Sequence, residues 1–470
     1  MLRLLHSRTL PPHKWWTTER WIVRTEKATC DGKWAIVVLV LLTGSAAAAE
    51  EEEKERTTGL PSWGTWTFNL DAGAGAFGFN HSFYTNPHAD PSGNLSDNWF
   101  EAYAKPAISL DAPMQGGGAF FAKLSAVGER TFSAPPSVVG EDASSFMVED
   151  VYVGWRSGTS IGSEEDALEI TLGRAPYKIG HGFILWDGAG EGGSRGGYWT
   201  NARKAWEYAA IGQFKAKSNT FQVFYLDRDE LPENDTGTKL WGANYELALG
   251  ENTTFGLTYL KTKSDKLALR DGMDVYDGRL FTAPLSAIPD LSFELEYVKE
   301  ENGSALSSEA YTAGITYKFS KIGWTPQLTY RYALFQGDKV GTTKSEGFDS
   351  LFTGFYDWGT WWQGEIAGEY FLSNSNLISH QLRLHLTPNE HVSGGLIAYD
   401  FRTDQPATFG TGVTSDKVGA ELDGYVDWKV NGNFTASFVL AYAEPHKAIE
   451  QGYGRTDSFR YGMVYLAYAY

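Results

Sequence analysis

The chain is almost without cysteine: Cys30 is the only one in 470 residues. A single thiol builds neither an intrachain disulfide framework nor a multi-cysteine zinc site. The nine histidines are scattered and no His-Glu-x-x-His motif is present. The usual signature of zinc hydrolases is therefore missing, and the sequence points to no cofactor and no metal. Positive charge is also in short supply, with 40 Lys and Arg against 58 Asp and Glu and a net charge of −18. That balance excludes nucleic acid as a natural partner.

Long apolar runs are lacking too. The one candidate, Trp34–Leu42 (WAIVVLVLL), has nine residues, where a spanning helix needs about 20. Preceded by Lys33 and followed by Ala46–Ala49, it reads as a secretory signal peptide covering residues 1–49, with an over-extended start. Cys30 would leave with it. Residues 50–61, which begin with the charged run Glu50–Arg56, read as a disordered periplasmic N-terminus. A mean hydropathy of −0.33 is too polar for a helical membrane protein, and no amphipathic helix pattern is found beyond Ser62.

What the chain does have is aromatics (17 Trp, 25 Tyr and 27 Phe) and 52 glycines. From Ser62 onward, strand-like segments of about ten residues recur, the length a tilted strand needs to cross a bilayer. They fall at 63–80, 97–110, 117–131, 144–156, 166–175, 204–215, 219–228, 238–249, 252–262, 273–281, 290–299, 309–319, 323–335, 376–387, 391–402, 416–430, 432–443 and 456–470. Their alternation is clear. Leu328, Tyr330, Tyr332 and Leu334 share one face while Gln327, Thr329 and Arg331 share the other; Leu382, Leu384 and Leu386 alternate with Gln381, Arg383 and His385. In 416–430, Val418, Ala420, Leu422, Val426 and Trp428 alternate with Lys417, Glu421, Asp423, Asp427 and Lys429. Charge repeated on an inward face is costly in a dry core and cheap in a wet lumen.

The expectation is an all-β fold: a transmembrane antiparallel β-barrel of about 18 strands over residues 62–470. Turns at 216–218, 250–251, 320–322, 388–390 and 431–432 are short enough to be periplasmic, as is the C-terminus. The strand count agrees from both ends only if 336–375 supplies no spanning strand or two; none is expected, and 20 strands, using 347–358 and 360–371, is the alternative. Outward aromatics Trp206, Tyr208, Trp241, Tyr259, Tyr297, Trp428, Tyr468 and Tyr470 would form the interfacial girdles, in contact with outer-membrane lipid and lipopolysaccharide. The final stretch Arg460–Tyr470 (RYGMVYLAYAY) resembles the terminal signal of Gram-negative outer-membrane barrels. That resemblance implies recognition by the barrel assembly machinery through Tyr468 and Tyr470, and an outer-membrane location.

Two further stretches carry a resemblance. Leu168–Gly182 (LEITLGRAPYKIGHG) and Phe348–Phe352 (FDSLF), the latter followed by Asn374–Pro388 (NSNLISHQLRLHLTP), are similar to elements of the bacterial alginate export porin family. The likeness runs through roughly 160–405; Ser350 stands where the family's motif has proline. It implies an 18-stranded conduit for polysaccharide or other solutes. Such a conduit needs fixed cations in its lumen. The inward parity gives Lys105, Lys123, Arg156, Lys215, Arg228, Arg279, Lys318, Arg331 and Arg383. The same parity gives Glu101, Asp150, Glu169, Glu207, Glu246, Glu294, Glu296, Glu421 and Asp423, so the wall is of mixed sign. The glycine-rich stretch from Pro176 to Arg203 reads as a long outer loop folded into the pore, and Arg174, Lys178, Arg195 and Arg203 around it as the constriction.

The substrate path is thus expected along Arg174, Lys178, Arg195, Arg203, Lys215, Arg279, Lys318, Arg331 and Arg383. The expected function is passive passage of saccharide or anionic polysaccharide. Alternatives are a general small-solute uptake porin and a rim enzyme or adhesin, for which His181, Asp187 and Ser194 form the only nearby set. Gly188-x-Gly190-x-x-Gly193 matches a dinucleotide fingerprint in letters alone, since no βαβ unit surrounds it.

Overall fold

In the computed structural model, residues 63–470 are described apart from 84–95, 134–142, 163, 251–252, 283–287, 355, 358–359 and 362; the expected signal peptide and charged N-terminus lie outside the described residues. Alternation sets the architecture. Each spanning segment carries apolar residues on one parity and polar or small residues on the other, so one continuous sheet closes on itself with its apolar side outward. Eighteen strands form that sheet, every neighbouring pair antiparallel. They run from β1 (Thr65–Asn80) to β13 (Gln327–Phe335) and from β16 (Leu377–Leu386) to β20 (Phe459–Ala469). Closure is made by β20 against β1, in the register Asp71↔Ala469 to Asn80↔Arg460. Leu70 and Tyr470 exchange both main-chain hydrogen bonds at 3.0 Å.

The outward row is greasy and unshielded. Leu382, Leu384, Leu396, Leu422, Val426, Phe438 and Leu440 are all exposed, as are Leu328 and Tyr330. In water such a surface would aggregate; in lipid it needs no cover. Tyr208, Trp241, Tyr259, Tyr297 and Trp428 are exposed with them, as expected of girdle residues. No helix is long and apolar enough to cross a membrane among the described residues, which leaves strands to do it.

Connections differ sharply between the two ends. At one end they are tight. Asn431 Oδ1 accepts main-chain N–H groups of Asn433 and Phe434 at 2.9 Å, and Asn389 Oδ1 does the same for His391 and Val392. These are Asx turns that let the chain reverse without leaving donors unpaired. Lys217, between β6 (Tyr208–Ala216) and β7 (Asn219–Asp227), takes a positive φ of 53° to complete a two-residue turn. At the other end the connections are long, and those after β5 (Leu168–Arg174) and β13 turn into the barrel. With seven residues β5 is the shortest spanning strand, so the wall is low where the chain enters the lumen.

Among the described residues, 336–375 adds no spanning strand, as expected, and the count is 18; β14 (Tyr356–Asp357) and β15 (Thr360–Trp361) form only a two-residue ladder. Residues 364–371 are a π-helix rather than a strand. Trp206 is fully buried and Glu207 exposed, the reverse of the expected parity, because β6 begins at Tyr208 and a bend at Glu207 breaks the alternation. Val418 is likewise buried, not outward: it occupies the irregularity where β17 (Val392–Arg402) pairs Phe401 with Gly419 but Arg402 with Lys417.

The outward parity has a direct test. Leu382→Arg or Leu422→Arg, placing a guanidinium in mid-bilayer, is expected to lower the unfolding free energy by about 2–4 kcal/mol, read by urea unfolding from lipid vesicles. Glutamine at Thr316, whose hydroxyl bonds that of Thr329 on the inward face, is expected to cost under about 1 kcal/mol as a lumen substitution. Equal losses at the two positions would contradict the assignment of faces.

Candidate functional site

The loop from Ala175 to Glu207 crosses the lumen from wall to wall. Near its start Tyr177 packs on Phe224 with ring centroids 5.0 Å apart, and His181 stacks on Phe281 at 4.0 Å. Near its end Trp199 lies against Phe77 (5.2 Å) and Tyr465 (4.9 Å), on the closing strands. Between them the loop pairs with Phe348–Phe352. Leu185 bridges Phe352 in parallel, and the N–H groups of Trp186 and Asp187 donate to the Phe352 carbonyl at 2.9 and 3.1 Å. Trp206 closes the base, donating from Nε1 to the Tyr177 carbonyl at 3.1 Å and packing edge-on against Phe352. The inward fold expected of this loop is what the structure has.

Carboxylates projecting from the wall hold these inner segments by their main chain. Glu101, on β2 (Asp97–Pro113), accepts N–H groups of Trp199 and Thr200 at 3.1 and 2.9 Å. Glu149, on β4 (Ser144–Arg156), accepts those of Lys204 and Ala205 at 2.6 and 2.8 Å. Glu300, on β11 (Leu291–Asn302), accepts that of Asp349 at 2.9 Å. On β18 (Lys417–Lys429), Glu421 accepts from Ile366 and Ala367 at 2.7 and 2.8 Å and Asp423 from Glu365 at 3.1 Å. The π-helix Gly364–Phe371 is thereby docked by its first turn, where unpaired donors and the positive dipole end face the two acids. Gly364, at φ 95°, is required there: a Cβ would lie 2.6 Å from a Glu421 oxygen.

Three of the four residues expected at the constriction converge on one acid. Arg174, Arg195 and Arg203 all donate to Asp229, the last two at 2.8 and 2.5 Å, and Arg203 also reaches Glu149 at 3.1 Å. Arg203 is fully buried and Arg195 nearly so. Burial alone would raise the Asp229 carboxyl; the three guanidiniums outweigh it and hold the group below the usual carboxylate range. These cations are therefore spent on anchoring the loop, not displayed to solute. Lys178, the fourth, is exposed over the Trp186 ring at 4.2 Å.

The remaining expected residues sit on the lumen walls. Arg279, fully buried, bonds Asp277 (2.6 Å), Glu246 (2.8 Å) and Thr258 (2.8 Å). It ends a ladder in which Gln222 donates to Gln213 and Asn244 to Gln222, each at 2.9 Å. Three strands along the wall Arg331 bonds Gln381 at 3.0 Å and Glu294 at 3.4 Å. Arg383 donates from Nε and Nη2 to the Tyr425 hydroxyl at 3.1 and 3.0 Å; that oxygen also contacts His385 Nδ1 at 2.7 Å. Lys215 lies inward on β6 and Lys318 exposed at the end of β12 (Leu306–Lys318), neither with an ion pair among the described residues. Arg228 is a loop residue beyond β7, held over Phe352 at 4.4 Å beside Asp187.

His181, Asp187 and Ser194 do not form a triad. His181 faces Glu294 at 3.9 Å, Asp187 binds Lys204 at 3.1 Å, and Ser194 bonds Glu233. The glycine run binds no helix N-terminus either; at Gly188 a Cβ would strike the main chain of Trp206 at 2.6 Å, so its smallness serves packing. Sequence reasoning missed Asp229 and Glu149, the acids that collect the arginines. Glu149 sits beside the inward-reading Asp150, and Asp229 lies just past a strand where alternation gives no signal.

Glu369, on the docked π-helix, has an enclosed carboxylate oxygen without a hydrogen-bond partner among the described residues. Burial, then the nearby Glu365 and Glu101 charges, raises its carboxyl well above 4.5. A group raised in the docked state stabilises docking fully below pH 4.5 and loses that contribution as pH rises through the raised value. Conductance in planar bilayers is thus expected to increase toward alkaline pH, and Glu369→Gln to flatten that rise. Separately, Glu421→Ala, which frees two main-chain donors worth about 1.5–3 kcal/mol each as charged hydrogen bonds, is expected to open the π-helix at neutral pH. Unaltered single-channel conductance in Glu421→Ala would refute the docking role.

Residues 268–462 match the family model described as Alginate export. The match takes in Phe348–Phe352 and Asn374–Pro388 and begins after Leu168–Gly182, so the first of the two resemblances lies outside it. Comparison with curated proteins returns no match. Among solved structures, Acinetobacter baumannii OccAB2 is similar at 11% identity and a TM-score of 0.56, covering 86% of this chain and 98% of that one. Pseudomonas aeruginosa OccK5 (OpdH) is similar at 11% and 0.55, covering 86% and 97%. Pseudomonas aeruginosa OpdK with vanillate is similar at 12% and 0.50, covering 86% and 98%. With the closed 18-stranded sheet, the lipid-type exterior and this match together, the chain is an outer-membrane β-barrel channel bearing the alginate export signature over 268–462.

Proposed function

We propose that the barrel passes saccharides, anionic polysaccharide among them, by passive diffusion and performs no chemistry on them. The observation that carries this reading is the position of Arg331 and Arg383. Both lie inside the region matching the alginate export model and both face the lumen, in contact with Gln381 and Tyr425. Guanidinium beside amide and phenol is a surface that bonds carboxylate and hydroxyl alike. The pairing of Arg331 with Glu294 at 3.4 Å, like that of other arginines with wall acids, supports weak rather than strict anion preference. In this reading the tight-turn end and the C-terminus face the periplasm, and Tyr468 and Tyr470 are read by the barrel assembly machinery.

A second reading, uptake of small carboxylates, rests on the likeness to OpdK with vanillate. Current block by oligouronates of graded length separates the two. In the saccharide reading, block deepens with chain length, and Arg331→Gln with Arg383→Gln weakens it about a hundredfold or more, two charged contacts at about 1.5–3 kcal/mol each. Block that is independent of length and untouched by both substitutions would favour the small-solute reading instead.

A further inference from the structure

The residues above account for the loop-side lumen but not for a second recess at the tight-turn end. There the closing seam encloses a cavity of about 290 Å³, lined by Asp71, Tyr103, Lys105, Ala202, Asn433 and Thr435. Four of these belong to the inward parity of three different strands: Asp71 on β1, Tyr103 and Lys105 on β2, and Thr435 on β19 (Phe434–Pro445). Ala202 comes from the loop that crosses the lumen, so the cavity is roofed by that loop and floored by the turn bearing Asn433.

Its chemistry is specific. Gly73 makes room for the aromatic wall: a Cβ there would lie 2.4 Å from the Tyr465 hydroxyl and 2.5 Å from the Tyr103 ring. The two phenols bond each other at 3.4 Å. The Tyr103 ring thus stands fixed beside a carboxylate acceptor, a hydroxyl, an amide and an ammonium group. Lys105 is not a free cation, for it lies 3.4 Å from Asp150 and 3.8 Å from Glu149, both fully buried. Asp71 is exposed to the cavity and has no ion pair among the described residues. The site therefore offers a flat apolar ring and hydrogen-bonding groups of both kinds, with its excess charge negative. That set fits an uncharged, hydroxyl-rich ring and rejects a carboxylate. The volume is close to the lower bound of small-molecule pockets, roughly 300 Å³, enough for one sugar residue and not for a folded oligomer.

We infer that this cavity is a subsite for a neutral saccharide residue, in which Tyr103 stacks on the sugar face and Asp71 and Thr435 bond its hydroxyls. The inference rests on the saccharide reading above and narrows it: a polymer leaving or meeting the tight-turn end is sorted there by hydroxyls, whereas Arg331 and Arg383 meet carboxylates. Binding is to be read by saturation-transfer NMR on the full chain in detergent, apart from conductance. The probes are maltotriose and a trimer of uronic acid. Maltotriose is expected to bind with Kd in the millimolar range, the uronate trimer to bind independently of this cavity, and Asp71→Asn and Tyr103→Ala each to weaken maltotriose at least fivefold. Lys321→Gln, on the exposed turn after β12, is expected to leave maltotriose unchanged. Asp71→Asn changes an exposed group, so it remains informative if Tyr103→Ala folds poorly. Wild-type-like maltotriose binding in Asp71→Asn, or an equal loss in Lys321→Gln, overturns the subsite. Lack of conductance with intact, Asp71-dependent binding would instead sink the channel reading and leave the subsite standing.

Discussion

Main-chain N–H groups placed inside a membrane barrel must find acceptors, and here wall carboxylates supply them. Glu101, Glu149, Glu300, Glu421 and Asp423 stand on four strands around the barrel and receive donors from Trp199, Lys204, Asp349, Ile366 and Glu365 among others. Everything in the lumen follows from that arrangement. The loop after β5 lies across the pore because both ends of its inner stretch are fastened, and the π-helix stays docked because two acids meet its first turn. These five acids are thus structural cement.

The arginines follow from the acids. A buried carboxylate is costly alone, and Asp229 is tolerated because Arg174, Arg195 and Arg203 surround it. The same logic joins Arg279 to Asp277 and Glu246, and Arg270 to Asp349 at 2.5 Å. Mixed sign along a wall is therefore a sign of pairing rather than of compromise. Of the four cations expected around that loop, only Lys178 is left exposed.

Period-two alternation made the barrel legible, because lipid outside and polar wall inside mark each strand independently. Leu382, Leu384 and Leu386 against Gln381, Arg383 and His385 needed no tertiary knowledge. Alternation fails where the chain leaves the sheet. Trp206 was placed in a girdle because one bend at Glu207 reverses parity, and Val418 because a single irregular pairing does the same. The inner segments carry no period at all; Phe348–Phe352 and the glycine run are fixed by packing with partners 170 residues away, as when Thr353 donates to the Gly182 carbonyl. Which arginines remain open to solute depends on such distant partners, and Arg174, Arg195 and Arg203 pair with Asp229 instead.

The seam between β1 and β20 pairs Asp71 with Ala469, residues from nearly opposite ends of the sequence. Until that ladder forms, the sheet has two bare edges whose hydrogen-bonding groups invite pairing with other chains. The fold consequently has a very high contact order, and its last native contacts wait upon the final strand. Assembly of such a molecule depends on shielding an unfinished rim from its neighbours until the first and last strands meet.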